Sequence, residues 1–155
     1  MNIEDLLKDS NKVKEILGEA IDKKNKELAE ILIPIVKDPE LTYMYAEKIT
    51  KRKIKKEWED IIIQDPYYSY LYSLRILDKP FPKGEETIAK NGFYSFQYAS
   101  NVLIDRFILG EEAIIKDKYY YLEDYIKFLK RIGKSEEFYR DYPKLKRSTE
   151  EEVKL

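Results

Sequence analysis

The sequence predicts an all-α fold, a short α-solenoid of about four helical hairpin repeats that follows an N-terminal helical cap. Three observations lead to this prediction. Two apolar residues, one polar residue and an Asp or Asn recur at a nearly fixed period, Pro follows two of the Asp residues, and only five Gly occur. A period in the twenties is typical of stacked helical units, because each unit has an apolar face that its neighbour must cover.

The repeated motif predicts where the first helix of each unit begins. It ends at Asp38, Asp65, Asn91, Asp117 and Asp141, at spacings of 27, 26, 26 and 24 residues. Asp and Asn are good helix N-caps, because the side-chain oxygen accepts a hydrogen bond from a free backbone N–H of the first turn. Pro39 and Pro66 then stand at the first helical position, where the missing N–H of proline costs nothing.

Each unit is expected to contain two helices. Apolar residues follow the cap at spacings that place them on one face of the first helix, and a small residue stands eight positions on in three units, as Ala46, Ser73 and Ala99. A linker follows, and Pro80 and Pro82 exclude a continuous helix in one of these linkers. The second helix then opens with acidic residues, whose charge complements the helix dipole. These are Glu59-Asp60, Glu85-Glu86, Glu111-Glu112 and Glu136-Glu137.

The pattern divides the chain into three parts. Residues 1–37 form an N-terminal helical cap or a degenerate repeat, with Ser10 as a candidate N-cap and a polar turn near residues 23–26. Residues 38–145 hold the repeat array, with units near 38–64, 65–90, 91–116 and 117–140. Residues 146–155 form a polar C-terminal tail.

Composition excludes several kinds of chemistry. The chain has no Cys and no His, which removes zinc sites built from these residues and nucleophiles activated by imidazole. The 29 basic and 30 acidic residues nearly cancel, which argues against nucleic-acid binding over the whole surface. No apolar run approaches the roughly 20 residues of a membrane span. We therefore expect a cytoplasmic protein with no catalytic residues, no metal, no cofactor and no membrane contact.

The best-preserved unit, Asn91 to Lys116, reads NGFYSFQYASNVLIDRFILGEEAIIK. It resembles a repeat of uncharacterised bacteriophage and large-virus proteins, in which a unit close to DPxxAYxYAxxVLxxRFxxGEExI is reiterated. The similarity extends to Asp65 to Lys90, is looser elsewhere, and covers about two thirds of the chain. The resemblance implies a small helical array encoded by a phage or mobile element, which would act in the host cytoplasm. It implies no catalytic residue.

Tyrosine is the residue type most indicative of a binding site. The chain has 14 tyrosines, the first of them Tyr43. Offsets of three, seven and ten residues from the caps predict a face of the first helices that lies beside the apolar face. The candidate protein-binding residues on it are Tyr68, Tyr72, Arg75, Tyr94, Tyr98, Tyr120 and Lys127. Aromatic and Arg side chains are frequent interface anchors, but Tyr also fills gaps between adjacent helices.

These features favour a non-enzymatic protein–protein interaction module. Combined with the resemblance, they suggest that the partner is a host factor or a defence component.

One alternative is a nucleic-acid or nucleoprotein binder. Residues 48–56 contain six basic residues and no acidic one, and a cluster of this kind can follow a phosphate backbone. The candidate residues are Lys51, Arg52, Lys53, Lys55 and Lys56. The same segment also suits a solvated helix end and linker. A further alternative is a self-assembling structural protein, whose first and last repeats stack end to end. In that case, mutations at the end that carries Phe138 and Tyr139 should abolish assembly.

Overall fold

The computed structural model describes residues 7–146, and every regular element in that range is helical. The prediction of an all-α fold is therefore confirmed. Residues 1–6 of the predicted cap and residues 147–155 of the predicted polar tail lie outside the described residues.

The first two helices form a hairpin. Helix α1 spans Ser10–Asp22, helix α2 spans Lys26–Val36, and the two pack against each other. The side chain of Asn25 accepts the N–H of Leu28 at the start of α2, so the predicted turn near residues 23–26 is confirmed. The cap of α1 is Asp9, whose carboxylate accepts the N–H of Lys12. The prediction of Ser10 as this cap is therefore wrong by one residue.

The later α-helices are short and follow one another closely. They are α3 (Pro39–Tyr45), α4 (Lys56–Ile62), α5 (Pro66–Leu71), α6 (Pro82–Ile88), α7 (Gly92–Tyr98), α8 (Ile108–Lys116), α9 (Glu123–Arg131) and α10 (Ser135–Asp141). Four π-helical segments adjoin them. These are Ala46–Thr50 after α3, Tyr72–Leu77 after α5, Ala99–Leu103 after α7, and Lys118–Leu122 before α9.

Three of the predicted caps are confirmed. The side chains of Asp38, Asp65 and Asn91 accept backbone N–H groups at the starts of α3, α5 and α7. Asp117 makes no such side-chain bond, and its backbone, with ψ at 39°, lacks the extended conformation of the three confirmed caps, whose ψ angles are 123°, 128° and 122°. Asp141 is the last residue of α10, where its carboxylate binds Arg106. The prediction of side-chain caps at Asp117 and Asp141 is therefore wrong.

The helices form two layers. Helices α3, α5 and α7 lie side by side, with α1 against α3 and the segment Lys118–Leu122 against α7. Helices α4, α6, α8 and α10 form the second layer, and they pack against α3, α5, α7 and α9, respectively. The buried apolar side chains form one core between the layers.

Glycine lets two helices of the second layer approach the first layer closely. A Cβ atom on Gly84 would lie 2.6 Å from the ring of Phe81 and 3.3 Å from the Cβ of Ser69. A Cβ on Gly110 would collide with Ser95 and Phe107 in the same way. The residue after each glycine is a glutamate, which is thereby carried to the boundary of the core.

The first three π-helical segments end in a left-handed residue. Lys51, Asp78 and Ile104 have φ angles of 52°, 50° and 49°. The N–H of each bonds to the carbonyl five residues earlier, at Ala46, Ser73 and Ala99. These three small residues are buried. The left-handed residue turns the chain out of the helix and into the linker.

Ile104→Gly is expected to raise the free energy of unfolding by about 0.5–1 kcal/mol. A left-handed backbone costs an L-residue about 1–2 kcal/mol, and the added freedom of glycine in the unfolded chain offsets part of that gain. Ile104 is 59% exposed, so little packing is lost. Urea denaturation followed by circular dichroism measures the change.

The matched control is Ile31→Gly, because Ile31 is 62% exposed but lies within α2. This substitution should destabilise the protein by about 0.5 kcal/mol, the difference in helix propensity. A loss of stability at Ile104 equal to that at Ile31 would contradict the prediction.

Candidate functional site

A buried tyrosine with the same kind of partner recurs four times along the described residues. Its hydroxyl donates a hydrogen bond to a glutamate on the preceding helix of the second layer or on α2. The pairs are Tyr45–Glu30 at 2.6 Å, Tyr72–Glu59 at 3.0 Å, Tyr98–Glu85 at 2.8 Å and Tyr125–Glu111 at 2.8 Å. We call these four contacts the Tyr–Glu pairs. Each pair joins two different helical elements, and in three of the pairs the glutamate lies on a second-layer helix.

Three of these hydroxyls also accept a backbone N–H from the adjoining linker. The donors are Ile54 at 3.0 Å from Tyr72, Phe81 at 2.8 Å from Tyr98, and Phe107 at 3.3 Å from Tyr125. Burial raises the pKa of all three phenols above the ordinary value, and the neighbouring glutamate raises it further. The phenols therefore stay protonated and keep their role as donors. They fix the linker, the second-layer helix and the first-layer helix at one point.

The structure places Tyr72 and Tyr98 in these buried pairs, and both are 0% exposed. The prediction that they lie on an exposed protein-binding face is therefore wrong. The sequence does carry a pattern that indicates their actual role, because both tyrosines stand 13 residues after their glutamate.

A second set of aromatic side chains lies near the starts of the first-layer helices. We call it the aromatic ladder. It comprises Tyr43, Tyr67, Tyr68, Phe93, Tyr94, Tyr120 and Tyr121. Successive ring centroids are 5.7 Å apart for Tyr43–Tyr68, 4.9 Å for Tyr68–Tyr67, 5.4 Å for Tyr67–Tyr94, 5.2 Å for Tyr94–Phe93, 5.4 Å for Phe93–Tyr121 and 6.0 Å for Tyr121–Tyr120. Each ring therefore touches the next without interruption.

From α5 onward the ladder exposes one ring from each successive first-layer element, whereas Tyr43 of α3 is buried. Tyr67 is 40% exposed, Phe93 is 39% exposed and Tyr120 is 72% exposed. Their neighbours Tyr68, Tyr94 and Tyr121 are half-buried, and the burial of Tyr68 raises its pKa to about 12. The three steps between adjacent elements have similar lengths, 5.7, 5.4 and 5.4 Å. The arrangement is thus a regular surface feature.

Three of the predicted binding residues, Tyr68, Tyr94 and Tyr120, come together in this ladder. The sequence pattern missed Tyr67 and Phe93, which stand two residues after their caps and not three. It also missed Tyr121, because the fourth unit is shifted by one residue. Tyr125 shows this shift, since it stands eight residues after Asp117 whereas Tyr98 stands seven after Asn91.

The two predicted basic residues of the binding face have separate surroundings. Arg75 is exposed and lies 3.4 Å from Glu47, which also accepts the hydroxyl of Tyr43. Burial raises the pKa of Tyr43 to about 12, with Glu47 contributing. Arg75 is therefore next to the first ring of the ladder. Lys127 pairs with Glu123 at 2.7 Å on the surface of α9.

The basic residues of segment 48–56 that were predicted to bind nucleic acid do not all face the same part of the surface. Lys53 and Lys56 line a cleft together with Lys79 and Lys83, which belong to the next linker and helix. Lys51, Arg52 and Lys55 do not line that cleft. Lys55 lies over the ring of Trp58, 4.7 Å from its centroid. The structure therefore brings together two of the five predicted residues and adds two lysines that the sequence pattern did not indicate.

A network of ion pairs holds α10, near the C-terminal end of the described residues, against the linker before α8. Arg106 donates two bonds to Glu111, at 2.8 and 2.7 Å, and one to Asp141, at 2.7 Å. The Arg106 side chain is 6% exposed and that of Glu111 is 0% exposed. Glu111, followed by Asp141, raises the pKa of Arg106 against the opposing effect of burial.

Phe138 and Tyr139 are buried, at 0% and 7% exposed, and the Arg106 guanidinium lies 5.8 Å from the centroid of the Phe138 ring. These two side chains therefore pack within the chain, and end-to-end assembly of the first and last repeats stays a prediction.

Comparison with protein families, with curated proteins and with solved structures finds no match in any of the three. Within residues 7–146, none of the helices has the length and apolar character needed to cross a bilayer. The same range contains no group of three or more acidic side chains arranged to hold a metal ion.

Proposed function

We propose that this chain is a non-enzymatic protein-binding module, a short α-solenoid of about four helical hairpin repeats whose binding surface is the aromatic ladder. The observation that carries the proposal is the unbroken series of ring contacts, which crosses from one first-layer element to the next and leaves Tyr67, Phe93 and Tyr120 exposed. The side-by-side helices and the recurring Tyr–Glu pairs support the repeat architecture. The resemblance to phage and large-virus repeats supports a host factor or defence component as the partner.

The exposed rings of the aromatic ladder are held in place, which favours binding of a partner. Each exposed ring packs against a half-buried ring that holds it in place. Such rings lose little conformational freedom on binding, and they present a large apolar face with a polar edge. Single exposed apolar residues need no explanation, whereas contiguous ones mark interaction surfaces.

The spacing of the rings supports an extended partner segment. Tyr67 contacts Tyr94, which contacts Phe93, so Tyr67 and Phe93 lie no farther apart than these two steps of 5.4 and 5.2 Å together. Three residues of a polyproline II segment advance about 9.3 Å, and such segments dock on aromatic surfaces with little loss of entropy. We therefore expect a proline-rich or otherwise apolar segment that places a side chain on each exposed ring.

Replacing Tyr67, Phe93 and Tyr120 together by Ala is expected to weaken binding of such a segment at least tenfold, because each anchor ring contributes about 1 kcal/mol or more. The probe is a peptide selected on the wild-type protein from a display library of random segments about 12 residues long. Fluorescence anisotropy of the labelled peptide then gives the dissociation constant for each variant. The selected sequences are expected to be rich in Pro or to repeat apolar residues at every third position.

The control is Ile31→Ala with Ile108→Ala. These side chains are 62% and 65% exposed, so the change removes a comparable apolar surface outside the ladder. The control should bind the peptide as the wild type does. Failure of the library to yield any binder, or equal binding by the ladder variant, would overturn the proposed function.

A further inference from the structure

A cleft of about 570 Å³ opens between two successive linkers, beyond the ends of the π-helical segments, and none of the aromatic-ladder residues lines it. Four lysines surround it: Lys53, Lys56, Lys79 and Lys83. Leu77, Pro80 and Pro82 supply an apolar wall, and Glu59 is the one acidic residue among those that line the cleft. Proline fixes its own φ angle, so the two prolines stiffen this wall. The cleft is thus a basic concavity with a rigid apolar side.

The charges in the cleft are only partly compensated. Lys83 is held by the carbonyl of Lys56 at 2.9 Å and by Asp60 at 2.7 Å. Lys53 lies 3.8 Å from Glu59, which is engaged with Tyr72. Within the described residues, Lys56 and Lys79 have no acidic partner in a salt bridge. The cleft therefore carries a positive surplus at a place where one lysine is already fixed in position.

The positive surface does not continue to the following linker. Arg106 precedes Phe107 as Lys53 precedes Ile54, and both Phe107 and Ile54 donate their N–H to the hydroxyl of a Tyr–Glu pair. Arg106, however, is buried between Glu111 and Asp141. A nucleic-acid strand that continued to this linker would therefore find Arg106 already engaged, whereas a compact anion needs only the lysines of the cleft.

We propose that this cleft binds a small polyphosphate ligand, such as the di- or triphosphate group of a nucleotide. Lysine ammonium groups are common phosphate ligands, acting as point charges on flexible stems. Lys56 and Lys79 supply the free charges, Lys83 supplies a fixed donor, and Pro80 and Pro82 offer an apolar surface to the rest of the ligand. A cleft of this volume falls in the range of small-molecule sites, about 300–1,000 Å³.

Calorimetric titration of the full chain with sodium tripolyphosphate at low ionic strength tests the proposal. The wild type should bind with about one site, and the affinity should fall as salt is added. The variant Lys56→Glu with Lys79→Glu should bind at least tenfold more weakly, because two attractive contacts become repulsive. The milder pair Lys56→Ala with Lys79→Ala should show a smaller loss, and it provides a folded alternative if the charge reversal unfolds the chain.

The control pair is Lys90→Glu with Lys130→Glu, two exposed lysines outside the cleft that have no salt-bridge partner within the described residues. It changes the net charge by the same amount and should retain tripolyphosphate binding. Equal weakening by the control would show a diffuse charge effect and overturn the site.

An oligothymidine of about 12 nucleotides distinguishes a small ligand from a strand. Tripolyphosphate should bind at least as tightly as the oligonucleotide. Tighter binding of the oligonucleotide would replace the small-ligand proposal by a nucleic-acid interface. No measurable binding of tripolyphosphate at millimolar concentration would overturn the proposal as well.

Discussion

Arg106→Met is expected to lower the free energy of unfolding by about 3–5 kcal/mol. The substitution keeps much of the side-chain volume but leaves the carboxylate of Glu111 buried without its cation, and removing one partner of a buried ion pair has an effect of this size. Asp141 also loses its bond to Arg106, which frees the end of α10. Urea denaturation followed by circular dichroism gives the change in free energy.

Lys53→Met is the matched comparison, because Lys53 occupies the corresponding position before Ile54. Its side chain is 65% exposed and lies 3.8 Å from Glu59. A long ion pair whose cation is this exposed to water contributes at most about 1 kcal/mol, even though Glu59 itself is buried. Similar effects at Arg106 and Lys53 would mean that burial of the Arg106 network is not what stabilises this end of the chain.

Tyr72→Phe is expected to lower the free energy of unfolding by about 2–3 kcal/mol. The lost hydroxyl serves the buried N–H of Ile54 at 3.0 Å and the 4% exposed Glu59 at 3.0 Å. The N–H of Ile54 and the carboxylate of Glu59 would stay buried without this hydrogen bond. An unsatisfied buried group costs about 1–3 kcal/mol, and more when it is charged. Thermal and urea denaturation measure the loss.

Tyr45→Phe provides the control for this substitution. The Tyr45 hydroxyl bonds only to Glu30 within the described residues, and the Glu30 side chain is 34% exposed. Water can replace the lost bond at that carboxylate, so we expect about 1 kcal/mol or less. Equal losses of stability in Tyr45→Phe and Tyr72→Phe would contradict this prediction. They would mean that losing the bond from the backbone N–H of Ile54 does not destabilise the protein further.

The sequence predicted the helix starts well where the determining contact is local. The caps at Asp38, Asp65 and Asn91 depend on a side chain that reaches two or three residues along its own chain, so the motif is sufficient to identify them. The failure at Asp141 has the opposite cause. Its carboxylate is engaged by Arg106, 35 residues earlier, and no local pattern reports that contact.

The sequence could not separate the buried tyrosines from the exposed ones. Tyr72 and Tyr98 share a helical face with Tyr68 and Tyr94 by spacing alone, yet one pair lies in the core and the other in the ladder. The difference depends on Glu59 and Glu85, each of which offers an acceptor on another helix. Tyrosine suits either surrounding, because it is apolar with one polar end.

The cleft was beyond sequence reasoning for a different reason. Along the chain, a complete first-layer helix lies between Lys53 and the pair Lys79 and Lys83. The three lysines line the same cleft only because two linkers turn in the same way. The left-handed residues Lys51 and Asp78 make those turns, although neither is a glycine that would have marked the position.

The recurring Tyr–Glu pairs determine how a chain of this kind can change in length during evolution. The glutamate and tyrosine of one pair stand 13 residues apart at Glu59–Tyr72 and again at Glu85–Tyr98. Duplication of a whole unit inserts an acceptor and a donor together, so every hydroxyl still meets a carboxylate. The spacing is 14 residues at Glu111–Tyr125 and 15 at Glu30–Tyr45, so the pair also accommodates an insertion of one or two residues between its members. Each added unit would also contribute one more exposed ring, so the aromatic ladder would become longer.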